Sequence, residues 1–67
     1  MKWTDSEDIG IALSEKFSDV DPLQIRFVDL RLRVLDLDGF ADDPHASNEP
    51  KLEAIQMAWY EEWKERP

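Results

Sequence analysis

The chain contains no cysteine. Disulfides, thiolate metal sites and thiol nucleophiles are therefore excluded, and the absence fits a reducing compartment. Glycine is almost missing too. Gly10 and Gly39 are the whole supply, so no glycine-rich loop can wrap a phosphate. No apolar run approaches the roughly 20 residues that a membrane-spanning helix needs, and no membrane is expected as a partner. Met1-Lys2-Trp3-Thr4-Asp5 turns polar at once, so a secretory signal is not expected and the cytoplasm is the expected compartment. Basic side chains are scarce: eight stand against sixteen acidic ones, a formal net charge of −8. Such a field repels a phosphate backbone, which counts against nucleic acid as a partner.

What is present points to a small helical fold. Residues 1–67 read as one domain, of a size that buries roughly 60% of its unfolded surface and so has a modest core. Three Trp, three Phe and a hydrophobic content of 42% exceed what an acidic disordered segment carries. Acidity also keeps small domains soluble, so charge gives the sign of a partner without naming it.

Thr4 and Glu7 have the spacing of a capping box, and Asp5, Glu7 and Asp8 fall in the first turn, where carboxylates favour the positive helix end. Ile9, Ala12, Leu13, Lys16 and Phe17 then recur at helical spacing, which predicts a first helix over about 4–17. Gly10 inside it suggests a close helix–helix approach, and Trp3 is placed to pack over its start. Asp21-Pro22 reads as an N-cap followed by proline at the first helical position. Phe27, Leu30, Val34 and Leu37 share one face of a second main helix over about 26–37, with Val28 and Leu32 on its flanks. Asp29 and Arg33 are spaced for a surface ion pair. Gly39 can end that helix in the left-handed conformation, Phe40 can fold back into the core, and Asp43-Pro44 imposes a turn. Ser47 or Asn48 caps a third helix over about 49–65, where Pro50 is tolerated in the first turn and Leu52, Ile55 and Trp59 continue an apolar stripe. The fold class is mainly α, with three to four helices.

Chemistry is sparse. Ser6, Ser14, Ser18 and Ser47 have no basic partner in a recognisable motif, and His45 stands alone, so no enzyme is expected. Carboxylates are the one plentiful resource. Asp36, Asp38, Asp42 and Asp43 crowd the turn region, with Glu49 just beyond, and Asp5, Glu7 and Asp8 form a second patch. Hard oxygens of this kind attract Fe(II), Mn(II), Mg(II) or Ca(II) with little discrimination. The spacing is not that of an EF-hand loop. Capping and solvation are the plain alternative for every one of these side chains.

One resemblance extends over nearly the whole chain. Lys2-Trp3-Thr4-Asp5, Ile9-Gly10 with Ala12-Leu13, Asp21-Pro22, Arg26-Phe27 with Asp29-Leu30, Phe40 with Asp42-Asp43-Pro44, Ser47-Asn48-Glu49 and Leu52-Glu53-Ala54-Ile55 occur in this order. With Trp59 and Glu61-Glu62 they resemble the IscX family of iron–sulfur cluster assembly proteins. The resemblance implies a modified winged-helix-like fold that does not bind DNA. It further implies a monomeric adaptor that docks on a basic surface of the cysteine desulfurase IscS, in competition with frataxin and ferredoxin, and holds Fe(II) weakly. The expected partner-binding residues are Asp36, Asp38, Asp42, Asp43 and Glu49. Those expected to meet metal are Asp5, Glu7, Asp8, Asp42 and Asp43. A free-standing iron buffer is the alternative. Arg33 stands where relatives often carry Trp, and Val28 where Thr is frequent.

Overall fold

Three α-helices and one 3₁₀ turn make up the regular structure of the computed structural model, which describes residues 1–66. Helix α1 runs Ser6–Lys16, the 3₁₀ turn Pro22–Gln24, α2 Phe27–Leu35 and α3 Glu49–Lys64. No strand forms among the described residues. The fold is mainly α, as the periodicities predict, and no helix is long and apolar enough to cross a membrane.

Helix ends follow local chemistry at α3 and the 3₁₀ turn, whereas α1 and α2 start without a side-chain cap. Asn48 accepts the Lys51 backbone N–H at 3.0 Å and starts α3, with Pro50 in the first turn. Asp21 accepts from Leu23 N–H at 3.0 Å and starts the 3₁₀ turn ahead of Pro22. Gly39 takes φ +82° after α2, a conformation costly for residues with a Cβ. At α1 the sequence predicts a side-chain cap. The expected capping box of Thr4 and Glu7 does not form, because the N-cap residue is Asp5 and its side chain makes no cap bond. That carboxylate instead turns back to accept the Lys2 N–H at 2.8 Å, and the Asp5 N–H closes the same turn on the Lys2 carbonyl at 2.9 Å. A tight turn before the helix has displaced the cap. Helix α2 is also shorter than expected. It ends at Leu35, and Leu37 N–H reaches only the Val34 carbonyl, three residues back.

The core joins all three helices and the segment before them. Trp3, Ile9, Leu13, Leu30, Val34, Leu37, Leu52, Ile55 and Trp59 are buried, and Phe40 folds back edge-on to Trp3 with ring centroids 4.7 Å apart. Trp59 lies beside Phe17 at 6.4 Å, and its indole N–H is buried without a hydrogen-bond partner. Helices α1 and α3 approach closely where they cross at Gly10. A Cβ at Gly10 would lie 2.8 Å from the Ala58 carbonyl carbon and the Trp59 nitrogen. Here glycine is required by space, as its place in the sequence suggested.

Candidate docking face

The segment from Asp36 to Asn48 connects α2 to α3 and carries most of the sequence-predicted site. It is held from both sides. The Trp3 indole N–H donates to the Asp43 carbonyl at 2.7 Å, the Trp3 backbone N–H donates to the Asp42 carboxylate at 3.1 Å, and Ala41 N–H donates to the Met1 carbonyl at 2.8 Å. From the helices, Arg31 donates to the Pro44 carbonyl and Lys51 to the Ala46 carbonyl, each at 3.1 Å. Within the segment, Asp42 accepts the Asp43 N–H at 2.7 Å and Asp43 accepts the His45 N–H at 2.9 Å. The second is an Asx turn built by Asp43 itself. The loop is a fixed platform.

This geometry divides the candidate residues. Both Asp42 oxygens accept backbone N–H groups. Its pKa is lowered from the ordinary value by the bond from Trp3 first and that from Asp43 second. Asp43 commits one oxygen to its own turn. Asp36 is exposed but pairs with Lys16 at 3.0 Å, and the same ammonium bonds the Asp36 carbonyl at 2.8 Å. Asp38 and Glu49 are exposed, and neither lies in an ion pair among the described residues. Asp5, Glu7 and Asp8 sit at the start of α1, also exposed. Among the described residues, no three carboxylate or imidazole groups converge to hold a metal ion. The structure thus brings Asp42 and Asp43 to Trp3 and does not join the two acidic patches into one donor set. His45 is exposed, and only its backbone N–H takes part in the turn.

The basic residues are mostly occupied inside the molecule. Lys16, Lys64 and Arg66 make ion pairs with Asp36, Glu61 and Glu15. Arg31 and Lys51 hold backbone carbonyls. The expected Asp29–Arg33 pair is absent, because Arg33 instead stacks over the Phe17 ring at 4.5 Å, a cation–π contact open to guanidinium. Three of the four arginines thus make contacts within the fold. Of the sixteen acidic side chains, only Glu15, Asp36 and Glu61 lie in ion pairs among the described residues.

One feature was not foreseen from the sequence. Glu7 of α1 and Met57, Ala58, Glu61 and Glu62 of α3 line a shallow groove of about 360 Å³. Met57 lies outside the stripe of Leu52, Ile55 and Trp59, and nothing in the spacing told that α1 would bring Glu7 beside it.

Comparison with known proteins adds two findings. The model of a family described as iron–sulphur cluster assembly matches residues 1–64. An uncharacterised protein of Pseudomonas aeruginosa is 53% identical over 62 residues, covering 92% of this chain and 94% of that protein.

Proposed function

This chain belongs to the iron–sulphur cluster assembly family, and from that premise we propose that it is an IscX-type acidic adaptor docking on a basic surface of the cysteine desulfurase IscS. The observation that carries this reading is the internal engagement of the cations. Lys16, Arg31, Arg33, Lys51, Lys64 and Arg66 each make an intramolecular contact, and with sixteen acidic side chains against eight basic ones the net charge offered to a partner is negative. Such a surface steers encounter with a basic one and sets its orientation. Frataxin and ferredoxin, as users of the same basic surface, would compete. The docking platform is the Asp36–Glu49 segment, and within it Asp38 and Glu49 are the carboxylates free to meet a partner's cations. Asp42 and Asp43 shape the platform.

Ferrous iron enters this reading as weakly held cargo. Asp5, Glu7, Asp8, Asp42 and Asp43 do not fit a preformed site, since among the described residues no three donors converge. Iron would rest on single exposed carboxylates and exchange with water. That geometry also weighs against the free-standing iron buffer, which needs a converging donor set.

The test is a titration with the purified desulfurase, followed by backbone amide NMR and by calorimetry at several salt concentrations. Asp38→Asn with Glu49→Gln is expected to weaken binding and flatten its dependence on salt while leaving the helical spectrum intact. Unchanged affinity and an unchanged salt slope would remove the desulfurase from this face.

A further inference from the structure

The geometry points to a second docking point: the groove lined by Glu7, Met57, Ala58, Glu61 and Glu62 receives an arginine side chain presented by a protein partner. This deepens the docking reading above and rests on it for the basic character of the partner. The groove lies beside the α1–α3 crossing, where the space left at Gly10 would put a Cβ 2.8 Å from α3 backbone. Its α3 wall is therefore held against α1 by close packing at Gly10. Its floor is apolar. Met57, 45% exposed, and Ala58 supply it. Methionine on a surface adapts its flexible thioether to whatever covers it.

The rim is acidic. Glu7 and Glu62 lie in no ion pair among the described residues, while Glu61 shares its carboxylate with exposed Lys64 at 3.0 Å. An exposed pair of that kind contributes little and can be exchanged for a stronger one. An apolar floor inside a carboxylate rim fits a guest with an apolar stem and a cationic head. Arginine fits better than lysine, because its planar fork can meet two carboxylates at once and is more weakly hydrated. A bare cation is a poorer guest, since among the described residues no three donors converge. Glu61 follows Glu49 by twelve residues on α3, about 18 Å along a helix. The groove is thus a contact separate from Asp38 and Glu49, and a partner touching both would be oriented by two points.

The test uses the full chain carrying ¹³C-methyl methionine, in which Met57 and Met1 are the two reporters. N-acetyl-arginine amide is the probe and its uncharged citrulline counterpart the control. Arginine is expected to move the Met57 methyl and the Ala58 and Glu61 amides saturably, and citrulline is not. Glu7→Gln with Glu62→Gln should abolish that response while circular dichroism stays unchanged. Equal responses to arginine and citrulline, or to wild type and variant, would overturn the proposal. So would a Met57 shift driven by protein concentration alone, which would assign the groove to a second copy. With the desulfurase as titrant, the same variant should bind about threefold to tenfold more weakly, the size expected for two exposed pairs. Desulfurase binding that leaves Met57 and its affinity for the variant unchanged overturns the groove as a protein contact. Failure of the desulfurase to bind at all, with the arginine response intact, overturns the desulfurase reading alone.

Discussion

Both carboxylate oxygens of Asp42 are engaged before any ligand arrives. Its two oxygens accept the N–H groups of Trp3 and Asp43, and these bonds hold its carboxyl below the ordinary aspartate value. The folded chain therefore binds this proton less readily than the unfolded chain does. The resulting stabilisation is fully present above the unfolded pKa of about 3.9 and is lost as pH falls through the lowered folded value. Acidification should release Trp3 from the loop, and the loss of its indole N–H signal by NMR is the readout. Asp42→Asn, which lacks a second accepting oxygen, should weaken that signal at neutral pH and flatten its acid limb. Identical acid limbs for the two proteins would show that the Trp3 latch is not set by this carboxylate. The sequence announced a turn at Asp42-Asp43-Pro44 through its residue types, but it could not announce the latch. The bond from Trp3 to Asp42 joins residues 39 apart, and neither period nor turn chemistry reports on contacts at that distance. Hence the sequence could not show that Asp42 and Asp43, expected as partner and metal contacts, also build the loop, while Asp43, Asp38 and Glu49 all stay exposed.

At the scale of the elements, the α1–α3 crossing is the contact that the rest depends on. Helical spacing made Ile9, Leu13, Leu30, Val34, Leu52, Ile55 and Trp59 legible as core, because amphipathic periodicity is a local property of the chain. The misses lie at ends and flanks, where neighbours overrule local preference. The Lys2–Asp5 turn displaced the Thr4 cap, and Phe17 drew Arg33 away from Asp29. Gly10 belongs to both levels. Inside an isolated helix, replacing it with alanine would gain about 1 kcal/mol of propensity. In this fold the added methyl meets backbone atoms of Ala58 and Trp59 at 2.8 Å, and backbone cannot swing aside as a side chain can. Overpacking typically costs about 1–3 kcal/mol, so Gly10→Ala is expected to lower stability despite the better propensity. For a domain of this size, each 1 kcal/mol lost shifts the midpoint by about 4–8 °C. Thermal circular dichroism reads the outcome. A midpoint that rises would mean the crossing has slack, and the α3 wall of the groove beside it would then not be held by that packing.

For the whole molecule, the same charge has opposite effects on folding and on binding. The chain measures 33 × 21 × 16 Å. At about 10 mM salt the Debye length is about 30 Å, so carboxylates across the entire surface repel one another, whereas at about 150 mM it shrinks to about 8 Å. Net charge far from zero weakens a compact state through this self-repulsion, and a small domain has little hydrophobic surplus to offset it. Added sodium chloride should therefore raise the melting midpoint of the free protein. Over the same range it should weaken association with a basic partner, because the attraction that steers docking is screened as well. The two slopes must oppose each other if the unpaired carboxylates dominate both processes. Differential scanning calorimetry of the free chain and calorimetric titration of the desulfurase, in matched buffers, measure them directly. A midpoint that falls with salt would mean that attractive pairs such as Lys16–Asp36, at 3.0 Å, outweigh the repulsion. The surface would then be balanced locally in spite of its −8, and the argument from charge to a basic partner would lose its footing.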